Sequence, residues 1–198
     1  MNAAVLSRRS QQIAAPGPEP VIRTARLTLR PHRLGDADAI TGSLSDFAVT
    51  RMLARVPVPY HRQDALDWLV PRASGLLADW ALAITEGDDD VHIGTVGIEL
   101  RHDRWHVGYW LNRYYWRRGF MGEAVAAALE RFSRRMPGED IHSGVFVDNP
   151  ASLKLQEKLG FRITGCAEVF SFARSTMVPH VETLLLPGDL RTSASASA

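Results

Sequence analysis

The chain has a single cysteine, Cys166, among 198 residues. No disulfide can form within it, and no cysteine-based zinc site can assemble. One thiol fits a reducing compartment, the cytoplasm. No apolar run approaches the roughly 20 residues needed to span a bilayer. The stretch after Arg8-Arg9 reads Ser10-Gln11-Gln12-Ile13-Ala14-Ala15-Pro16, too polar and too short for the apolar core of an export signal. Charge of one sign is nowhere in excess: 23 basic against 22 acidic residues leave a formal net charge of +1. With no basic run beyond a pair such as Arg117-Arg118, neither nucleic acid nor an anionic membrane is an expected partner. His102 and His106 find no third ligand in the pattern, so no metal site is expected. Asp88-Asp89-Asp90 reads as a solvated turn.

What is present is the composition of a globular protein, 45% hydrophobic and 23% charged, at a length that suits one domain. Residues 1–20 and 191–198 lack apolar periodicity and read as mobile tails, which leaves a domain over 21–190. Within it the period switches repeatedly. Leu27 and Leu29 mark a strand closed by Pro31. Residues 35–55 and 61–78 read as helices, the second interrupted by Pro71. Strands follow at 80–85, 92–100 and 105–111, the last two joined as a hairpin through the polar residues 101–104. A helix over 119–136 carries the stripe Met121, Val125, Ala128, Leu129, Phe132 and Met136, and Pro137-Gly138 ends it. After a strand at 141–147, Asn149 and Pro150 have the residue types of an N-cap and first helical position. Lys158 and Gly160 suit that helix's last turn and its cap. Strands from Phe161 and at 181–186 complete a mixed α/β (α+β) domain with one central sheet.

Two segments carry chemistry. In the first, 108–124, a strand runs through Trp116-Arg117-Arg118-Gly119-Phe120-Met121-Gly122-Glu123 into a helix. Such a turn aims unpaired backbone N–H groups and the positive helix end at one spot, where a pyrophosphate can sit with help from Arg117 or Arg118. Gly122 costs about 1 kcal/mol relative to alanine inside a helix and so invites a reason. An ordinary strand–helix connection with surface arginines is the plainer reading of the same residues. The second segment is Asp148-Asn149-Pro150-Ala151-Ser152-Leu153-Lys154-Leu155-Gln156-Glu157-Lys158-Leu159-Gly160-Phe161.

Together with the opening Thr24-Ala25-Arg26-Leu27-Thr28-Leu29-Arg30-Pro31 and the block from Ile93 to Gly119, these segments resemble the GNAT acyltransferases, and within them the RimJ/RimL-like ribosomal-protein N-terminal acetyltransferases. The likeness spans residues 22–187. It implies acetyl-CoA as donor and a mostly antiparallel central sheet flanked by helices, splayed between the strands near 105–111 and 141–147. In that picture Tyr109, Trp110 and Leu111 orient the pantetheine through their backbone. The turn of Arg117, Arg118, Gly119, Phe120, Met121, Gly122 and Glu123 holds the pyrophosphate, and Asn149 and Ser152 contact the cofactor arm. Met121 stands where the family's Gln/Arg-x-x-Gly-x-Gly/Ala pattern has a small residue, with Gly122 beside it.

The resemblance also supplies catalytic candidates. A glutamate is frequent where this chain has His106, whose ordinary pKa of about 6.5 suits a base. Glu99 falls across the hairpin from it and is placed to orient the imidazole; two solvated polar residues near a hairpin end is the plainer alternative. Gln156 occupies the position of the superfamily's proton-donating tyrosine and has no such proton to give. Ser152, one turn earlier, is the substitute. The acceptor is an amine, either a protein N-terminus or a small molecule, bound by residues 36–78 and 165–180. A non-catalytic acyl-CoA-binding module also remains open, and exposed apolar residues in 165–186 suit a homodimer as easily as an acceptor site, so monomer and homodimer both stay open.

Overall fold

The run Trp80-Ala81-Leu82-Ala83-Ile84 is buried on both faces, which places its strand in the middle of a covered sheet rather than at an edge. A computed structural model, describing residues 15–75, 77, 79–87 and 89–192, shows that sheet to have eight strands. They are β1 (Ile22–Arg23), β2 (Leu27–Pro31), β3 (Trp80–Glu86), β4 (His92–Arg101), β5 (Arg104–Leu111), β6 (Ile141–Phe146), β7 (Arg162–Ser171) and β8 (Thr176–Leu185). The spatial order is β1-β2-β3-β4-β5-β6-β8-β7. Every pairing is antiparallel except β5 with β6. That parallel ladder has two residue pairs, Trp105 with Ile141 and His106 with His142, beyond which the strands separate. The splayed, mostly antiparallel sheet expected from the sequence is therefore present.

Helices cover both faces. On one, α4 (Phe120–Arg135) buries Phe120, Val125, Leu129 and Phe132 against Trp80, Leu82, Ile84, Trp105 and Val107. The stripe read from the sequence is buried from Val125 to Met136, while Phe120 and Ala124 join it and Met121 is only partly buried. Burying side chains of this size contributes roughly 1.5–3 kcal/mol each. On the other face, α1 (Ala37–Leu44) and α3 (Arg62–Ala73) enclose a second cluster of Ile40, Leu44, Val49, Ala65 and Leu69, with Trp110 against it. Strand alternation divides β5 between the two: Trp105, Val107, Tyr109 and Leu111 face α4, whereas His106, Gly108 and Trp110 face α1 and α3.

Several expected boundaries shift. The helix read over 35–55 is broken into a 3-10 turn, α1 and the single turn α2 (Phe47–Thr50), because the Asp46 carboxylate caps the Ala48 amide and starts a new helix. Pro71 lies in the last turn of α3, which ends two residues later. The hairpin turn is His102-Asp103, both with positive φ, so β4 and β5 each run further than expected. The last two strands form one long hairpin, β8 starting at Thr176. Residues 16–19, assigned to a tail by composition, are held on the domain. Trp80 Nε1 donates to the Gly17 carbonyl, the Ala81 amide to Glu19, and Arg135 to the Pro16 and Pro18 carbonyls. Arg191 of the other expected tail is held likewise, its amide donating to the Leu159 carbonyl at 3.0 Å, while residues 1–14 and 193–198 and Asp88 of the acidic turn lie outside the described residues.

Candidate active site

A groove of about 1570 Å³ runs through the β5–β6 opening, lined by α1, the segment 52–60, the start of α4 and α5 (Pro150–Leu159). Its first wall is built where β5 leads to α4. Trp116 Nε1 donates to the Leu111 carbonyl at 2.8 Å, and the Asn112 side chain ties the turn to Ser43 of α1 at 2.9 Å. Arg117 and Gly119 then take φ of +61° and +77°, reversing the chain into the helix. The first amides of α4 have no partner within the helix, and the groove wall there is Gly119, Phe120, Met121 and Gly122. A Cβ at Gly122 would meet no atom within 4 Å, so this turn is bare backbone. Met121 packs toward the core.

The two arginines and the glutamate of this segment separate. Arg117 lines the groove, and among the described residues no hydrogen bond or ion pair engages it. Arg118 is turned aside: its guanidinium binds Glu86 and lies over the rings of Phe120 and Tyr115. Glu123, expected beside the pyrophosphate, instead closes a clasp with the start of β2. It accepts from Thr24 Oγ1 at 2.6 Å and from Arg26 N and Nε at 3.0 and 2.7 Å. Arg26 also donates to the Arg118 carbonyl at 2.8 Å, which locks the loop.

The second wall is α5. Asn149 caps it, its side chain accepting from the Ser152 amide at 3.2 Å, as the sequence indicates. Ser152 Oγ lies 2.9 Å from the phenol oxygen of Tyr109. Gln156, almost fully buried, reaches both Tyr109 and Ser143 through Nε2, at 3.1 and 2.9 Å, and accepts from Thr183 at 2.7 Å. Ser143 in turn donates to the Val107 carbonyl at 2.9 Å, bridging β6 and β5 where their ladder has ended. Burial pushes the Tyr109 phenol up despite its bonds to Ser152 and Gln156. The sequence reading used only the backbone of Tyr109. Its side chain was legible from strand alternation, since it shares a face with Val107 and Leu111. Ser143 and Thr183 carried no local signal, because their pairing joins strands 40 residues apart (183 − 143 = 40).

Across the sheet lies the other half of the site. Glu99 and His106 are register partners, as the hairpin implied. Yet the Glu99 carboxylate accepts from Arg55, at 2.5 and 3.4 Å, and from Arg101. Burial would raise its pKa, but those hydrogen bonds outweigh it and hold the group below its usual range. Among the described residues no hydrogen bond joins it to His106, so the pair does not form the imidazole–carboxylate couple expected. His106 packs instead against His142, ring centroids 5.3 Å apart. Burial, then Arg101 and His142, lowers its pKa to about 4, so the imidazole is neutral at pH 7. His142 and His180 were missed by the sequence reading. His180 leans over β6 in space that only glycine allows, since a Cβ on Gly144 would lie 1.9 Å from its ring. Glu182, exposed on the groove margin, is free of hydrogen bonds and ion pairs among the described residues.

A strand-to-helix turn with unpaired amides, an opened parallel pair and a polar cluster at the opening now stand together. A family model described as an acetyltransferase (GNAT) domain matches residues 26–162. The chain belongs to the GNAT acetyltransferases. It is 29% identical over 160 residues to the uncharacterized N-acetyltransferase p20 of Bacillus licheniformis, covering 78% of this chain and 89% of that one. Among solved structures it resembles RimL, the ribosomal L7/L12 alpha-N-protein acetyltransferase in complex with coenzyme A, at TM-score 0.72 and 15% identity, covering 85% and 98% of the two chains. It also resembles spermidine N-acetyltransferase from Vibrio cholerae in complex with CoA and spermine, at TM-score 0.71 and 20% identity, covering 84% and 98%. At such identities the solved structures establish the shared fold. This GNAT enzyme uses acetyl-CoA, and the residues present suit it: bare amides at the start of α4, an unengaged Arg117 and an unladdered edge of β5.

Proposed function

We propose that this enzyme transfers acetyl directly to a primary α-amine, the N-terminus of a protein, in the manner of the RimJ/RimL-like branch. When bound, acetyl-CoA supplies an acetyl group activated as a thioester. The α4 amides and Arg117 hold the pyrophosphate. The backbone of Tyr109, Trp110 and Leu111, released from the β6 ladder, orients the thioester carbonyl. Asn149 shapes the start of α5, and Ser152 holds a proton at Oγ for the departing sulfur; the proton that the amine loses on acylation restores it, so the products are the amide and the thiol of coenzyme A.

The observation that carries the acceptor assignment is the chemistry of the face opposite Ser152. His106 is a neutral, weakly basic imidazole there. An α-amino group, with pKa near 7.7–8.0, is partly unprotonated at neutral pH and asks little of a base. A lysine or polyamine nitrogen near 10.4 asks far more. The carboxylates Glu99 and Asp148 are each bound by two arginines, Arg55 and Arg101 for one, Arg51 and Arg174 for the other, so neither is free to anchor a polycation. Glu182 favours a small cationic acceptor, as do Asp64 and Asp67 on the groove lining, which accept from the His61 amide and from Gln63 and make no ion pair among the described residues.

The test is a competition. Acetyl-CoA is supplied with equal concentrations of short peptides bearing varied free N-termini and of polyamines, and products are read by mass spectrometry. Acetylated peptide α-amines are the expected products. Faster turnover of the polyamines, lost on Glu182→Gln, would transfer the assignment to the small-molecule reading.

A further inference from the structure

The hydrogen bonds beneath the β5–β6 opening have only one consistent direction. The Val107 carbonyl can only accept, so the single hydroxyl proton of Ser143 is committed to it at 2.9 Å. Ser143 Oγ must then accept from Gln156, which turns the amide nitrogen toward it at 2.9 Å and leaves Oε1 for the Thr183 hydroxyl at 2.7 Å. The same nitrogen lies 3.1 Å from the Tyr109 oxygen and gives its second proton there. Tyr109 is left to donate, and the acceptor within reach is Ser152 Oγ at 2.9 Å. Ser152 therefore receives a hydrogen bond from the buried side, and its own proton is directed elsewhere. Its position on the groove wall leaves the opening as that direction.

We propose that Tyr109 is a positioning residue, directing the Ser152 hydroxyl proton to the thioester sulfur, and that Gln156 sets the polarity of this chain of donors. The inference rests on the reading that Ser152 faces the sulfur. A serine hydroxyl otherwise rotates among staggered positions and donates wherever water is available. Fixing it toward sulfur matters most as negative charge collects there, because hydrogen bonds to charged acceptors are about twice as strong as neutral ones. Tyr109 keeps its own proton throughout; it supplies direction. Gln156 replaces the proton-donating tyrosine of the wider superfamily by fixing the direction of a tyrosine that reaches the same place from β5.

The experiment titrates the thiol of coenzyme A itself in its binary complex with the enzyme, following thiolate absorbance in the ultraviolet against pH. A hydrogen bond from Ser152 to sulfur depresses that pKa. Ser152→Ala and Tyr109→Phe are each expected to raise it by about one unit, and the double variant to raise it no further. Calorimetry at a pH where the thiol is protonated checks that each variant still binds coenzyme A. A rise in Ser152→Ala without one in Tyr109→Phe overturns the positioning role and leaves Ser152 in place. No rise in either shows that Ser152 does not face the sulfur, and both readings fall. Additive rises show Tyr109 acting independently of Ser152, which also overturns the proposal. Should Tyr109→Phe not fold, Gln156→Leu keeps both hydroxyls while removing the polarity. It is expected to raise the thiol pKa in part, and an unchanged value overturns the inference.

Discussion

Arg117 adopts a left-handed backbone with its guanidinium unengaged, while Arg118 is spent on Glu86 and two aromatic faces. Only the first is free to meet a phosphate. Arg117→Ala should weaken acetyl-CoA binding about tenfold, the range of one charge-assisted contact, and Arg118→Ala much less. Calorimetry on both variants separates them; equal losses would mean that Arg118 leaves Glu86 when the cofactor arrives. The sequence shows two adjacent arginines and cannot show this division, which depends on Glu86 approaching from β3. Gln156 makes the same point. Judged by its functional group it is inert, yet its two amide protons and one carbonyl organise Tyr109, Ser143 and Thr183 from three separate strands.

Helix α5 was legible because its signals are local: the Asn149 cap, Pro150 at the first position, and Gly160 at φ +103° after the last turn. The face that carries Glu99, His106, His142 and His180 was not, because it is assembled from β4, β5, β6 and β8. Gly144 is an example. Within β6 it reads as a weakness in a strand, and its purpose appears only when His180 of β8 is found lying over it. Gly144→Ala should drive the imidazole off β6, and with it part of the groove wall. The expected result is a raised KM for the peptide acceptor with unchanged acetyl-CoA affinity, read from paired kinetics and calorimetry. Loss of cofactor affinity instead would show that β6 itself has shifted and that His180 simply moves aside.

At the scale of the whole molecule, the strand types were readable and the strand order was not. Nothing local tells β8 to pair with β6 while β7 takes the edge, and a run of alternating residues is equally at home in either place. The same non-local assembly buries a polar cluster that joins β2, the 3-10 turn before α1, and β4. Arg30 grips Asp36 at 2.8 and 2.9 Å, and Thr95 Oγ1 lies 3.4 Å from His32 and 3.2 Å from His92. Burial lowers both imidazoles, His92 to about 3, so each is neutral in the folded protein. Unfolded, each binds a proton near pH 6.5. Between the two values the unfolded state holds more protons, so stability is complete above about pH 6.5 and falls as the pH drops. For His92 alone the loss from pH 6.5 to 5 is about 2 kcal/mol. Asp36 adds to it only in stronger acid. Burial would raise its pKa, but Arg30, His32 and the Arg33 amide hold it well below the usual carboxylate range. The stability that provides is lost only as the pH falls through and below the ordinary value near 3.9. Urea melts at pH 7 and pH 5 on the wild type and on His92→Gln should show the variant losing less. A variant with the wild-type pH dependence would place the loss on His32 or on His106, His142 and His180, all lowered by burial.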